Sequence, residues 1–450
     1  MLFKADNYYN SEELKQLKLE NESALKKLTT HLQVRVGNYE NTHNTKIVEH
    51  YNGRIKKIES ATKKLNRKRR KVSITELKNT LHDMVGVRLV CPFLDDVYEL
   101  VDLIKQSNII EVYEIKDYIK EPKESGYRSC HILVGIPVKL GNETKIVKGE
   151  IQIRTLAMDA WAAVEHRIKY KPTIEEQLTQ EEKRMLKVCA KAFQALEQYM
   201  RGLVPKDKKV KKNYIQEVRG KLAAGDEEIK TLNFKYGAAL KILKTSLQVD
   251  IDNYEMINST KIVEHFNERI KSPNSAINKL NKKNYSINIT ELENNLHDIV
   301  GVRLVCPFLS DVYELVDLIK QNDIIEIYGI KDYIKNPKDS GYQSIHLLVN
   351  VPVLVGNEIQ KIKAEIQIRT LAMDAWAAME ERIKYLEENE DLTDQQKTML
   401  KICASSFREI DEYMNGLVSK NKISTNLEDY FDDKDGNSQS DNKKLSKRKF

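Results

Sequence analysis

Two periodicities alternate along the chain, and the whole alternation occurs twice. Ala24, Leu25, Leu28 and Leu32 recur at helical spacing, and Ile47, His50, Tyr51 and Arg54 fall on a second such stripe, so each unit is expected to open with helix. The period then shortens to two. In Val85-Gly86-Val87-Arg88-Leu89-Val90-Cys91, Val85, Val87 and Leu89 share one face and Arg88 takes the other. Ile132-Leu133-Val134 and Glu150-Ile151-Gln152-Ile153-Arg154 read as further strands, the latter directing Glu150, Gln152 and Arg154 one way and Ile151 and Ile153 toward a core. Between them, Asp95 to Lys105 reads as a helix whose acidic start suits an N-terminus. Helices from Leu156 to Lys169 and from Glu181 to Met200 close the unit.

The second unit repeats the first. His82-Asp83-Met84-Val85-Gly86-Val87-Arg88 returns as His297-Asp298-Ile299-Val300-Gly301-Val302-Arg303, an offset of 215 residues. That period is far longer than the ~20–50 residues of solenoid repeats, so each copy is expected to be a complete domain. The register slips by one after Tyr170 and Tyr385, and Cys189 then matches Cys403. The first domain is expected over 1–204, a basic connector over 205–228, the second domain over 229–418 and a disordered polar tail over 419–450.

Composition narrows the class. With 450 residues, 41% of them hydrophobic and 31% charged, and only 17 Gly and 9 Pro, the chain is neither collagen-like nor wholly disordered. Its 74 basic against 67 acidic residues leave a net charge of +7, a mild excess that favours anionic ligands such as nucleotides or RNA. The opening residues lack the charged flank and apolar core of a leader, and no run approaches the ~18 apolar residues of a spanning helix. A soluble, cytoplasmic protein without membrane contact is expected. Cys91, Cys130, Cys189, Cys306 and Cys403 form no C-x-x-C pair, which points to reduced, buried thiols rather than disulfides or zinc.

Four groups per copy carry candidate chemistry. Arg54, Lys56, Ser60 and Lys64, repeated as Arg269, Lys271, Ser275 and Lys279, can converge on a triphosphate, although a solvated basic face has the same spacing. Asp83 (Asp298), at the entrance of the strand bearing Arg88 (Arg303), supplies the lone carboxylate that a Mg²⁺-nucleotide site needs; an ordinary Asp–Arg pair is the plainer alternative. The His82-Asp83 dipeptide is also that of HD metallohydrolases, but the nine His do not supply the further ligands. In the third group, Lys123, Gly126, Tyr127, Arg128 and His131 put an aromatic and several donors on one loop, suited to stacking a base and bonding its phosphates. Lys338, Tyr342 and His346 repeat it with Gln343 in place of Arg128, one cation fewer. Fourth, Glu150 (Glu365) on its strand can serve as metal ligand or as general base for a hydroxyl nucleophile, or form a cross-strand ion pair.

Taken together, the motifs Arg-x-Lys-x-x-x-Ser-x-x-x-Lys, Asp-x-x-Gly-x-Arg, Asp-Tyr-Ile-Lys-x-Pro-Lys-x-Ser-Gly-Tyr-x-Ser-x-His and Glu-Ile-Gln-Ile-Arg-Thr-x-Ala-Met resemble the synthetase domain of the RelA/SpoT family, specifically its small alarmone synthetases. The resemblance spans about Lys46 to Tyr170 and Lys261 to Tyr385. It implies an α+β fold, a mixed sheet with flanking helices related to nucleotidyltransferases, in two tandem copies. It implies transfer of pyrophosphate from ATP to the 3′-hydroxyl of GTP or GDP with release of AMP. Carried over, Arg54, Lys56, Ser60, Lys64 and Arg88 with Arg269, Lys271, Ser275, Lys279 and Arg303 would bind ATP; Asp83, Glu150, Asp298 and Glu365 would hold Mg²⁺, with Glu150 and Glu365 catalytic. Tyr127 and Tyr342 would stack on guanine, with Lys123, His131, Lys338 and His346 at the acceptor's phosphates. Homotetramers are the family's habit, so a homo-oligomer is implied, and synthesis without an accompanying hydrolase domain is expected.

The copies depart from the pattern differently. Lys57 and Ile58 follow Lys56 where the family has Ser or Pro, which the second copy keeps as Ser272-Pro273; the first keeps Arg128 and His166 where the second has Gln343 and Glu381. Two competent sites are expected, the second weaker in acceptor binding. Two other readings stand beside this one. The basic run Arg67-Lys68-Arg69-Arg70-Lys71 suits RNA phosphates and a relative acting on tRNA or adenosine nucleotides. Alternatively, one copy is a nucleotide-binding module without catalysis.

Overall fold

The computed structural model describes residues 12–141, 143–169, 179–204, 226–386 and 392–419. Residues 205–225 of the expected connector and 420–450 of the polar tail lie outside them, and residues 226–228 of the connector already belong to a helix. The first lobe comprises α1 (Glu12–His43), β1 (His50–Ile55), α2 (Ile58–Arg67), α3 (Ile74–Thr80), β2 (Val85–Cys91), α4 (Leu94–Lys105), β3 (Glu111–Asp117), β4 (Cys130–Leu140), β5 (Glu143–Thr155), α5 (Leu156–Lys169) and α6 (Gln180–Gly202). The second repeats it: α7 (Asp226–Asn258), β6 (His265–Ile270), α8 (Pro273–Lys282), α9 (Ile289–Asn295), β7 (Val300–Cys306), α10 (Leu309–Lys320), β8 (Glu326–Asp332), β9 (Ile345–Val355), β10 (Glu358–Thr370), α11 (Leu371–Leu386) and α12 (Asp394–Ser419).

Each lobe holds one five-stranded sheet, ordered β1-β2-β5-β4-β3 and β6-β7-β10-β9-β8. β2 and β5 run parallel while the other neighbours are antiparallel, which makes the sheet mixed as the motifs imply. The alternation read from sequence sets its two faces. Val85, Val87, Leu89, Ile151 and Ile153 point to a core closed by Ala24, Leu28, Leu32 and Val36 of α1. The Val, Leu and Ile side chains among these, each contributing about 1.5–3 kcal/mol on burial, fix the sheet on its helix. The five cysteines are free and buried.

The second stripe, Ile47 to Arg54, is not helical. Residues 50–55 pair with β2 from His50↔Val90 to Ile55↔Val85 as an edge strand. Cross-strand pairing decides a six-residue segment against a coincidental helical spacing. β3, which carries no strong apolar alternation, went unread for the same reason: its burial is intermediate and its place comes from pairing with β4 across a bulge at Val112/Glu114.

The closing helices of both lobes share one core. Trp161, Phe193 and Met200 pack in a single cluster with Trp376, Phe407 and Met414, and the Phe193 and Phe407 rings lie 6.0 Å apart. Reciprocal ion pairs border this seam: Arg167 grips Asp311 at 2.7 and 3.0 Å, and Arg382 reaches Asp96 at 3.2 Å.

Candidate nucleotide and metal site

Sheet register assembles the site on the face opposite α1. Arg54 lies across from Gly86, Asn52 from Arg88, Glu150 from Gly86 and Gln152 from Arg88, with His131 opposite Gln152. Residues two apart share a face, so Arg54, Arg88, Glu150 and His131 all point to one side. Gly86 leaves room for the Arg54 stem, whose Cγ would touch an added Cβ at 3.6 Å. α2 then brings Lys64 over the sheet edge, with Ser60 exposed in its first turn. The second lobe starts the equivalent helix with a Ser272 cap and Pro273, whereas Lys57 provides no side-chain cap.

The lysines are already engaged. Lys56 and Lys64 both donate to Asp83 Oδ2, at 2.9 and 2.7 Å, and Lys271 and Lys279 meet Asp298 Oδ2 at 2.7 and 2.8 Å. The other oxygen, Oδ1 of Asp83 and of Asp298, is buried without a hydrogen-bond partner. Burial pushes the Asp83 carboxyl up, but the hydrogen bonds from Lys64 and Lys56 outweigh it and hold the group below its ordinary range. Glu150 behaves alike: burial raises it, hydrogen bonds from His131 and Gln152 lower it further, and the charge of Asp83 opposes them. The two carboxylates therefore sit close enough to sense one another while both remain ionised.

On the acceptor side, Gly126 adopts φ +93° and lets Lys123 N–H close a turn onto the Tyr127 carbonyl at 3.1 Å. The Lys123 ammonium lies 4.6 Å from the Tyr118 ring centre and 4.7 Å from that of Tyr127. Tyr127 Oη meets His131 Nε2 at 2.8 Å, and His131 Nδ1 meets Glu150 at 2.9 Å. Tyr342 and His346 repeat the first contact at 2.9 Å; His346 stands 3.4 Å from Glu365, and Lys338 covers Tyr333 and Tyr342 at 4.6 and 4.5 Å. All four sequence-read groups thus converge in each lobe, except that Arg54 and Ser60 stay exposed at the rim.

Two features went unread. Arg154 donates to Tyr127 Oη at 2.7 Å and to Asp159 at 3.0 Å, and Arg88 meets the same Asp159 oxygen at 3.1 Å. The alternation already put Arg154 on the site face; Asp159 carried no signal, since its partners come from distant strands. Arg128, read as a donor on that loop, also faces the closing helices. It lines a small recess with Trp161 of α5 and with Phe193 and Glu197 of α6, and its charge favours the Glu197 carboxylate. Gln343 and Asp411 occupy the matching recess, where Gln343 gives the acid no such charge.

Among the described residues no three or more His, Cys, Asp or Glu converge as a metal cage. A pair of ionised carboxylates with an orphaned buried oxygen fits Mg²⁺, which takes one or two carboxylates and completes its shell with phosphate and water. Cations, two carboxylates and an aromatic loop on one face of a mixed sheet define a phosphotransfer class that works by positioning and charge neutralisation.

Comparison with known proteins agrees. The family described as "Region found in RelA / SpoT proteins" matches residues 53–175 and 268–390, more than half of the chain, and the chain belongs to that family. GTP pyrophosphokinase YwaC of Bacillus subtilis is 41% identical over 182 residues, 40% of this chain and 86% of that protein. GTP pyrophosphokinase YjbM of the same organism is 39% identical over 133 residues, 30% of this chain and 61% of that protein. The small alarmone synthetase 1 of Bacillus subtilis bound to its product pppGpp aligns at TM-score 0.40 and 30% identity, over 43% of this chain and 97% of that one.

Proposed function

We propose that the chain synthesises (p)ppGpp in the cytoplasm by moving the β,γ-pyrophosphate of ATP onto the 3′-hydroxyl of GTP or GDP and releasing AMP. The observation that carries this reading is the cluster present in both lobes: two lysines on one aspartate whose second oxygen is buried and unpartnered, beside a glutamate on the neighbouring strand. The activity of the two Bacillus relatives supports it.

Arg54, Lys56, Ser60, Lys64 and Arg88, with their counterparts Arg269, Lys271, Ser275, Lys279 and Arg303, hold the triphosphate; the lysines yield part of their grip on the aspartate to reach it. Asp83 and Glu150, or Asp298 and Glu365, would hold Mg²⁺, which when bound would neutralise charge on the phosphates. Tyr127 stacks on guanine, and Lys123 and His131 face the acceptor's phosphates, as do Tyr342, Lys338 and His346. The 3′-oxygen bonds to the β-phosphorus, the bond from that phosphorus to the α-bridging oxygen breaks, and AMP leaves with the electron pair. Glu150 or Glu365 receives the hydroxyl proton. No helix among the described residues is long and apolar enough to cross a membrane.

The test is a reaction of the purified chain with γ-labelled ATP, Mg²⁺ and, separately, GTP, GDP, tRNA or no acceptor. Label on a guanosine nucleotide with AMP released is expected. Label on tRNA alone would overturn the acceptor and direct attention to the exposed run Arg67 to Lys71. No transfer would reduce the lobes to binding modules.

A further inference from the structure

The lobes meet through two histidines. His50 on β1 and His265 on β6 are buried and stack face to face, ring centres 3.9 Å apart and planes 4° from parallel. Each is hydrogen-bonded at both nitrogens by the opposite lobe. His265 Nδ1 faces Asn52 Nδ2 at 2.8 Å, and the same Asn52 nitrogen points at the Glu264 carbonyl at 3.4 Å, which fixes that end of the amide as the donor. Nδ1 therefore accepts, so Nε2 carries the hydrogen and donates it to Asp159 Oδ2 at 2.8 Å. The arrangement is reciprocal. Asn267 donates to His50 Nδ1 at 2.8 Å and approaches the Glu49 carbonyl at 3.3 Å, and His50 Nε2 donates to Asp374 Oδ2 at 2.7 Å.

The other oxygen of each aspartate faces its own lobe's site. Asp159 Oδ1 takes Arg154 at 3.0 Å and Arg88 at 3.1 Å; Asp374 Oδ1 takes Arg369 at 3.3 Å and Arg303 at 3.4 Å. Through Arg154 the contacts run on to Tyr127, His131 and Glu150. Closure across the seam shows again in the second lobe's cavity. Its volume of about 350 Å³ lies over Arg303, Asp298 and Glu365, and Lys46, Glu49 and Tyr51 of the first lobe form part of its wall.

Resting on the functional reading above, we infer that each nucleotide site is completed in trans: His265 is a positioning residue for the first lobe's Arg88 and Arg154, and His50 for the second lobe's Arg303 and Arg369. The physical reason is the cost of a fully buried carboxylate. Asp159 and Asp374 are wholly buried, and such a group is tolerable only when both oxygens are hydrogen-bonded. Removing the histidine leaves Oδ2 unpaired, and the nearest repair draws a guanidinium across to it, away from the nucleotide.

The consequence is crosswise and measurable. Asp298→Asn leaves the first lobe to report and Asp83→Asn the second, and His265→Leu or His50→Leu is added to each. His265→Leu should raise KM for ATP roughly tenfold in the first-lobe reporter, the size of one lost charge-assisted hydrogen bond. In the second-lobe reporter the change should stay under about twofold, and His50→Leu should invert the pattern. His265→Gln, which keeps a donor, should restore most of KM. His265→Asn and His50→Asn, which keep a polar group but draw the donor back, serve where the leucine variants do not fold. Equal effects in both reporters, or a lower kcat at unchanged KM in each, would overturn the inference. Affinity for a non-hydrolysable ATP analogue, measured on the same variants, separates it from the functional reading. A chain that transfers no pyrophosphate yet loses analogue binding crosswise would sink the proposed activity and leave the trans positioning standing.

Discussion

The two lobes share a backbone and differ in how they fill it. The lysines and carboxylates themselves are the same: Lys56, Lys64, Asp83 and Glu150 against Lys271, Lys279, Asp298 and Glu365, with contacts to the aspartate within 0.2 Å of each other. Away from it the differences come in neighbouring pairs. Arg128 with Glu197 becomes Gln343 with Asp411, and Gly135 beneath Tyr113 becomes Asn350 with Tyr328 turned aside to His297. A lobe losing its chemistry is free to shed the charged cluster, because even a paired buried charge costs desolvation that apolar packing avoids. Here the cluster is intact and the packing has drifted, and the expectation of two competent sites is tested by disabling the clusters one at a time.

The sharpest way to break that symmetry is to remove one aspartate at a time. Asp83→Asn and Asp298→Asn should each abolish the share of turnover carried by one lobe, and the double variant should fall by roughly a thousandfold, as expected when a site loses its charge-stabilising centre. Radiolabel transfer to GTP or GDP reads it. If one single variant retains the full wild-type rate, that lobe is a binding module.

Next in size is the acceptor loop, where equal sequence conceals unequal clearance. Gly126 and Gly341 have φ of +93° and +91°, but a Cβ would stand 3.1 Å from Ala190 in the first lobe and 2.5 Å from Ala404 in the second. Gly341→Ala should destabilise by about 2–3 kcal/mol and Gly126→Ala by about 1–2, combining backbone strain with overpacking. Chemical denaturation of the two variants would show it, and the reverse order would mean that α6 and α12 yield differently from what the clearances imply.

Much of this was legible in the chain because period-two alternation fixes faces. Glu150, Arg154 and Arg88 could be assigned to one side without coordinates, and the repeat doubled each reading. What stayed hidden depended on contacts between distant segments. β1 bears a helical stripe by coincidence and becomes a strand only by pairing with β2. Asp159 is one more acid on an apolar helix until His265, 106 residues away, is seen to bond it. Arg128 reads as one more donor on its loop, and only the fold brings Glu197 of α6 beside it.

The Arg128 exchange predicts a pH effect. Burial pushes Glu197 and Asp411 up to about 7 each, against the hydrogen bonds from Thr155 and Thr370, and in the first lobe Arg128 also favours the charged form. An acid whose folded pKa exceeds its unfolded value binds more protons when folded, so its contribution to stability declines as pH rises from the unfolded pKa through about 7. Asp411→Asn should therefore raise Tm by roughly 2–4 °C at pH 8 and less at pH 5. Glu197→Gln should gain less, because it strands Arg128. Equal gains in differential scanning calorimetry would mean that Arg128 contributes nothing to the pair.

The smallest effect concerns the residue just before each metal-side aspartate. His297 Nδ1 meets Tyr328 Oη at 2.8 Å, whereas His82 Nδ1 is buried with no partner. The cause is one position on the neighbouring strand. At Gly135 an added Cβ would stand 2.1 Å from Tyr113 Oη, so that ring lies in the space the glycine leaves, while Asn350 fills the same space in the second lobe. Gly135→Asn should expel Tyr113 toward His82 and satisfy its nitrogen, offsetting the lost ring packing for a net gain of about 1 kcal/mol or less, the scale of one neutral hydrogen bond. A chemical-shift change at the His82 ring with an unchanged rate at the first site would bear this out. A loss of stability would show instead that the open nitrogen costs the first lobe less than the displaced tyrosine.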